Sequence, residues 1–467
     1  MLNNGHILTA EEMRRAEQDV MDAGISIEEL MKRAGSGAAQ HIWRISGRMP
    51  TIVACGPGNN GGDGYVIAQW LLEKGVETVV AAMGEPTTEV AQKAKLAWKG
   101  TIVPFAEASP APQLVDCLFG TGLTRPIDNE TTRQFLTLAA AATRNIAVDM
   151  PSGIHSDNGL TLSDVPQFHQ TIALGAYKPA HYLEPARSLQ GDLIAVDIGI
   201  RSKSRTRSIT RPEIEAPAST SHKYTRGLVV IVAGKMKGAA QLAALGAQKS
   251  GAGYVKIFAN GGCTAPNNSI VVEIFEDSEQ LKNLLTDSRI SAVVLGPGLG
   301  RDKSAEHILE TVIDIPKPLL LDADALVLLG KGMARAVSAR ASPTVATPHS
   351  GEFAEMSASD AESKIERVRL LARESYSTIL LKGSDTVVAD SVGHASLAAA
   401  NCRWLSTAGT GDVLSGIIGT RLSAGTEPIH AAEQAQWLHT RAAQLAGPAF
   451  SPEQLVDHIP AAIQECL

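Results

Sequence analysis

The chain has 467 residues, 44% hydrophobic and 19% charged, which excludes a disordered chain and, at roughly 100–200 residues per domain, predicts two or three domains with large cores. Its net charge of −7 weighs against nucleic acid or an anionic membrane as the main partner. The five cysteines, Cys55, Cys117, Cys263, Cys402 and Cys466, contain no C-x-x-C pair; they are expected as reduced thiols, and with no signal-peptide layout and no long apolar run a cytoplasmic protein off the membrane is expected.

Thr9-x-x-Glu12 and Ser26-x-x-Glu29 are capping-box patterns. They open helices expected at 10–22 and 27–44, the second with Ile27, Leu30, Met31, Ala34 and Ala38 on one face. From Thr51 strands are expected at 51–55, 77–82, 101–103, 113–119, 145–149, 170–174 and 192–197, and helices at 64–74, 88–99 and 129–142. Such alternation predicts an α/β fold, a Rossmann-like three-layer domain whose ligands sit beyond the carboxyl ends of parallel strands.

Between the first strand and its helix lies Gly56-Pro57-Gly58-Asn59-Asn60-Gly61-Gly62-Asp63-Gly64. In a helix or strand interior each glycine costs roughly 0.5–1 kcal/mol against alanine. Glycines belong where bare amides approach an anion at a helix N-terminus. The first six residues fit G-x-G-x-x-G. The second strand, however, ends at Met83-Gly84 without the expected ribose-binding acid, and Asp63 stands inside the loop beside two asparagines. This predicts a nucleotide-type loop unlike an ordinary NAD loop. Two more loops fall at strand ends: Phe119-Gly120-Thr121-Gly122-Leu123-Thr124-Arg125 after Val115-Asp116-Cys117-Leu118, and Asp149-Met150-Pro151-Ser152-Gly153. The topology brings all three to one crevice.

Residues 201–220 are polar, basic and proline-containing, and are expected as a solvated connector between domains spanning 1–212 and 213–467. Alternation resumes with strands expected at 228–233, 254–259, 290–295, 318–322, 343–346, 378–381 and 386–389 and an alanine-rich helix at 238–250. Thr407-Ala408-Gly409-Thr410-Gly411-Asp412 then opens a helix at 413–422. Gly409 to Gly411 present free amides at that N-terminus, an anion hole suited to a transferring phosphoryl group. Asp412 is favoured in its charged form there and is available to accept a hydroxyl proton. The same residues also describe an aspartate capping a helix after a glycine turn, and alone they leave both readings open.

The context of that turn resembles the ribokinase-type small-molecule kinases. More specifically, the second half is similar to ADP/ATP-dependent NAD(P)H-hydrate dehydratases. The shared motifs are Lys235–Gly253, G-P-G-L-G at 296–300, L-D-A-D-A-L at 321–326, T-P-H-S-G-E at 347–352, L-K-G-S-D-T at 381–386 and G-T-G-D. The resemblance implies a ribokinase-like α/β domain with substrate contacts at Ala239, Gly298, His349 and Asp412. It implies adenylate contacts at Lys382, Gly383, Ser384, Asp385, Thr386 and Gly411, with Asp412 as base, ADP or ATP as co-substrate and Mg²⁺ at the phosphates. Asn401-Cys402-Arg403-Trp404 stands where many members have Gly-Asn-Pro-Gly.

The first half resembles NAD(P)H-hydrate epimerases through G-P-G-N-N-G-G-D-G, D-C-L-F-G-T-G-L-T-R and V-D-M-P-S-G. That implies substrate contacts at Asn59, Asn60, Gly61, Gly62 and Asp63, at Gly120, Thr121, Gly122, Leu123, Thr124, Arg125 and Pro126, and at Asp149, the candidate acid/base residue. It also implies K⁺ at Asn60, Asp116 and Ser152, and amide, carboxylate and hydroxyl oxygens are what a hard cation takes. Alone, Asp149 fits a cap of the Pro151 turn, Asp116 a satisfied loop carboxylate, His349 a turn residue and Lys382 a surface lysine. Together the resemblances imply a bifunctional repair enzyme acting on NADHX and NADPHX. It would interconvert the R and S hydrates and dehydrate the S form at the expense of ADP or ATP, as a homo-oligomer. One alternative is a vitamin-type kinase with a regulatory N-terminal domain. The other is an RNA-decapping scaffold copy of the first domain, which would have lost Asn60, Asp63, Asp116 and Asp149, and all four are present.

Overall fold

In the first unit Thr9 and Glu12 form a reciprocal capping box that starts α1 (Ala10–Asp22), whereas α2 (Ile27–Ser46) is capped by the Ser26 hydroxyl alone. The chain then runs through β1 (Thr51–Cys55), α3 (Asn59–Glu73), β2 (Thr78–Ala82), α4 (Glu89–Ala97), β3 (Thr101–Pro104), β4 (Gln113–Cys117), α5 (Asn129–Ala141), β5 (Arg144–Val148), β6 (Gln170–Leu174), α6 (Ala186–Leu189) and β7 (Asp192–Val196). These coordinates are a computed structural model describing residues 5–398 and 402–467, so Asn401 lies outside the described residues. The sheet order is β3-β2-β1-β4-β5-β6-β7, every pair parallel.

Alternate residues of each strand serve opposite cores, as a period of two requires. Val53, Val115 and Ile146 pack with Ala38, Ile67 and Leu71 of α2 and α3. Ile52, Leu114 and Ala147 pack with Phe135 and Leu138 of α5. Both faces are therefore covered, which is why β1 and β4 are buried at every position and show no polar alternation. The chain leaves β1 in one direction and returns at β4 on its other side. This reversal opens a crevice at the carboxyl ends of β1 and β4.

The second sheet contains β8 (Thr206–Ile209), β9 (Leu228–Ala233), β10 (Tyr254–Asn260), β11 (Val271–Phe275), β12 (Ile290–Leu295), β13 (Leu319–Leu321), β14 (Thr344–Ala346), β15 (Thr378–Leu381), β16 (Val387–Ala389) and β17 (Ala395–Ala398). Their order is β11-β10-β9-β12-β13-β14-β15-β16-β17-β8. Pairing is parallel from β11 to β15 and antiparallel from β15 to β17. Its helices are α7 (Lys237–Lys249), α8 (Ser278–Leu285), α9 (Lys303–Ile313), α10 (Ala323–Leu329), α11 (Met333–Ser338), α12 (Ser350–Met356), α13 (Lys364–Ser375), α14 (Thr410–Ser423), α15 (Pro428–Ala446) and α16 (Pro452–Gln464).

The connector expected at 201–220 needs correction over β8. There Arg207 is exposed while Ile209 is buried in the second unit's core, so a strand replaces part of the solvated stretch. The division into two compact units falls at Met1–Arg207 and Ser208–Leu467. In the second unit α14 is buried almost all round and packs against α7. A Cβ at Gly416 would overlap the Ala243 carbonyl oxygen, and one at Gly246 would stand 2.6 Å from the Val413 oxygen. Two glycines thus let the backbones touch and fix where the N-terminus of α14 sits.

Candidate functional site

The glycine-rich stretch is largely helix. α3 begins at Asn59 with Gly58 as its N-cap, not at the expected position 64. Its interior glycines answer to packing. A Cβ at Gly61 would overlap the Gly56 carbonyl oxygen, and one at Gly62 would overlap the Met31 Cε. At Gly64 it would lie 2.7 Å from Cys55 Sγ and 2.8 Å from Cys117 Cβ. Gly58 supplies no side-chain cap, which leaves the first amides of α3 able to meet an anion.

Those amides border a cavity of about 520 Å³, within the range of small-ligand sites. Asn59, Asn60, Asp63, Gly120 to Arg125 and Asp149 line it; Gly61, Gly62 and Pro126 do not. Asn59 accepts a hydrogen bond from the Thr88 hydroxyl at 2.7 Å. Asp149 directly follows β5 in a left-handed conformation, φ 65°, a costly geometry for a residue with a Cβ. Its carboxylate is ion-paired with Lys178, which is 1% exposed. The same carboxylate accepts from the Thr121 amide at 3.2 Å and the Leu174 amide at 3.4 Å. His181 Nε2 lies 2.8 Å from the Asp149 carbonyl oxygen. Burial pushes the Asp149 carboxyl up, but the Lys178 ammonium overcomes this and holds it below the ordinary carboxylate value. Asp63, 8% exposed, goes the other way: burial, then the Asp149 and Glu17 carboxylates, push it well up. The two aspartates of the cavity are thus shifted in opposite directions, Asp149 down and Asp63 up.

Beside it Asp116 accepts from the Ser152 amide at 2.8 Å, the Ser152 hydroxyl at 2.7 Å and the Leu118 amide at 3.1 Å. Burial still raises its carboxyl to about 6 against those hydrogen bonds. The Ser152 hydroxyl also accepts from the Phe119 amide at 2.9 Å. At the next residue, a Cβ on Gly120 would lie 3.0 Å from Asp149 Oδ2 and 3.3 Å from Asn60 Cγ. Both polar side-chain atoms of Asn60 are buried without a hydrogen-bond partner.

In the second unit Gly409, at φ 93°, caps α14, a backbone that favours glycine. Asp412 lies in the first turn. Burial and the Asp322 carboxylate, opposed by Lys382, bring its carboxyl up to about 7. Lys382 Nζ is 2.6 Å from Asp322 Oδ1 and would be 3.7 Å from a Cβ on Gly411. The Ser415 hydroxyl donates to the other Asp322 oxygen at 2.6 Å. His349 and Lys382 meet in a parallel bridge, and the Lys382 amide donates to the Pro348 oxygen at 2.8 Å. His349 Nδ1 accepts from the Gly351 and Glu352 amides at 3.0 and 3.2 Å. Its side chain is 59% exposed. Ala239 and Gly298 also meet, a Cβ on Gly298 falling 3.0 Å from the Ala239 Cβ. Gly383 to Thr386 form a tight turn, with the Thr386 hydroxyl donating to the Gly383 oxygen at 2.9 Å and Asp385 paired with Lys364.

Residues 229–465 match the family model for NAD(P)H-hydrate dehydratase, and 27–180 match that for the YjeF-related protein N-terminus. The bifunctional NAD(P)H-hydrate repair enzyme Nnr of Mycobacterium leprae is 31% identical over 98% of this chain and 99% of its own length. The chain belongs to this family. Nnr of Escherichia coli K12 is 33% identical over 91% of this chain and 86% of its own. A Bacillus subtilis structure described as ADP/ATP-dependent NAD(P)H-hydrate dehydratase co-crystallised with ATP/Mg²⁺ is 27% identical, with a TM-score of 0.46, over 55% of this chain and 95% of its own.

Both halves of an NAD(P)H-hydrate repair enzyme contain polar partners that sequence motifs did not single out. Lys178 neutralises Asp149 from 29 residues away, and Asp322 joins Lys382 to Ser415, 93 residues further on. Asp324, which accepts from the Gly300 amide at 2.9 Å and pairs with Arg301 at 2.7 Å, holds the Gly296–Gly300 loop. Asp322 and Asp324 lie within a quoted motif, L-D-A-D-A-L, so their presence was visible though their partners were not.

Proposed function

We propose that the first unit interconverts the R and S forms of NAD(P)H-hydrate. The second dehydrates the S form to NAD(P)H, consuming ADP or ATP and giving AMP or ADP and phosphate. The carrying observation is Asp412: a carboxyl brought to about 7, one residue after an amide turn and close to the Lys382–Asp322 pair. Hydroxide is a poor leaving group, so the C6 hydroxyl is first phosphorylated, Asp412 taking its proton. Phosphate then departs as the ring-nitrogen lone pair pushes in, and a proton leaves C5 as the C5=C6 double bond returns. The amides of Gly409 to Gly411 stabilise charge on the moving phosphoryl group. Ala239, Gly298 and His349 are assigned to the hydrate, and Lys382 to Thr386 with Gly411 to the adenylate.

Mg²⁺ belongs with the nucleotide phosphates, whose charge it screens when bound. Among the described residues no group of three or more His, Cys, Asp or Glu is placed to hold a metal. An Mg²⁺ bound there would take its oxygens from the phosphates and from one or two carboxylates. In the first unit K⁺ is assigned to Asn60, Asp116 and Ser152. The unpartnered Asn60 oxygen is what a cation would satisfy, and bound there it would add positive charge beside the anion-binding amides. Asp149, kept ionised by Lys178, is assigned the base role in epimerisation. Among the described residues no helix is long and apolar enough to cross a membrane. A cytoplasmic location and homo-oligomeric assembly belong to the same proposal.

Two variants test the assignments. With purified S hydrate and nucleotide, Asp412→Asn should lose 10²- to 10⁴-fold in turnover; near-normal turnover contradicts its role. With purified R hydrate, Asp149→Ala should abolish conversion to S, and an unchanged rate contradicts the base assignment.

A further inference from the structure

One face of α1, at Met13, Arg14, Glu17 and Met21, forms a wall of the cavity. Among the described residues Glu17 is a half-buried carboxyl on that wall with neither an ion pair nor a hydrogen-bonded side-chain partner. Five other charged or titratable groups line the same space: Arg14 on α1, Asp63 on α3, Arg125 on the loop after β4, and the paired Asp149 and Lys178 after β5 and β6. Three carboxyls therefore face one cavity whose only buried ammonium is already committed to Asp149. Neighbouring carboxylates raise one another's carboxyl pKa, as Asp149 does for both Glu17 and Asp63.

Epimerisation needs two proton-handling groups. The C6 oxygen must leave one face of the ring and return to the other, so one group gives a proton while another takes one. Asp149 is held ionised by Lys178 and is suited only to taking. Asp63 is buried, whereas Glu17 is only half-buried. Glu17 has both the cavity on one side and solvent on the other. We infer that Glu17 is a second catalytic acid/base group of the first unit, donating a proton to the C6 oxygen of the hydrate while Asp149 accepts one from the returning water.

This rests on the epimerase reading. The proton of Glu17 passes to the C6 hydroxyl oxygen and the C6–O bond breaks. The ring-nitrogen lone pair forms the N1=C6 bond and water leaves. Water then adds to the opposite face of C6, the N1=C6 pair returns to nitrogen, and the surplus proton goes to the Asp149 carboxylate. Nothing is oxidised or reduced, and solvent returns the proton from Asp149 to Glu17. Burial raises the Glu17 carboxyl above its ordinary value, with Asp149 adding to the rise and Lys178 and Arg14 opposing it, the direction a proton donor requires.

The test follows conversion of purified R hydrate to S by the full chain across pH, for wild type, Glu17→Gln and Glu17→Asp. Dehydration of purified S hydrate by the same preparations is the internal reference, and the first unit's unfolding midpoint checks the fold. Wild-type turnover should fall as pH rises through the Glu17 titration. Glu17→Gln should lose about 100-fold in kcat with KM within threefold, and should lose that alkaline limb. Glu17→Asp should restore part of the rate and the limb. A kcat for Glu17→Gln within threefold of wild type, or a loss confined to KM, overturns the inference. Failure of wild type itself to convert R to S would instead overturn the epimerase reading beneath it.

Discussion

Burial and Asp322 hold the Asp412 carboxyl at about 7, so this base is only partly ionised in neutral solution. Turnover of S hydrate should therefore rise with pH through about 7 and level off above it. Asp322→Asn removes one carboxylate that raises Asp412 and frees Lys382, which lowers it; the limb should move to lower pH. A limb that stays or moves upward would contradict this electrostatic account. The same shift has a sign for stability. A carboxyl whose folded pKa exceeds its unfolded value contributes stability below the unfolded value and loses it as pH rises through the folded one. Asp412→Asn should thus raise the unfolding midpoint of the second unit at pH 8, with the gain vanishing near pH 4. In the first unit, Lys178→Met leaves Asp149 buried and unpaired, which should cost about 3–5 kcal/mol in a denaturant titration. Asp412, Asn60, Asp63 and Asp149 could be singled out because each lies in a short, glycine-containing motif. Lys178 and Ser415 were not, since their partners lie 29 and 93 residues away and only folding brings them together.

Glycines had two meanings at the level of elements, and the sequence showed one. Gly409 has the positive φ that a turn into α14 needs, and its neighbours were readable as an anion site. Gly61, Gly62, Gly64, Gly246 and Gly416 are glycine because another backbone or side chain occupies the Cβ position. That is why the start of α3 was expected five residues too late. Gly416→Ala, wedged against the Ala243 oxygen, should destabilise the second unit by about 1–3 kcal/mol. It should also lower S-hydrate turnover, because Asp412 lies one turn earlier on the same helix. Unaltered stability would contradict the α7–α14 contact. The fully buried parallel strands were readable from apolar runs. β11 was missed because as an edge strand it is half-exposed, and β8 because Arg207 and its basic neighbours masked one buried isoleucine.

Over the whole molecule the two sheets divide one repair task. Hydration of a reduced nicotinamide gives both C6 epimers, and a dehydratase selective for S leaves R stranded unless an epimerase shares its supply. One chain provides both activities in equal amount. Family membership and the order of the two units were legible from motifs spanning both halves, matched by the family models over 27–180 and 229–465. The most direct test of the account supplies the full chain with mixed R and S NADH-hydrate, Mg²⁺, K⁺ and ADP or ATP, and follows the return of NADH absorbance alongside phosphate. The account predicts full recovery with one phosphate released per NADH. A plateau at the S fraction would contradict the epimerase, and a phosphorylated product without absorbance would contradict the dehydratase.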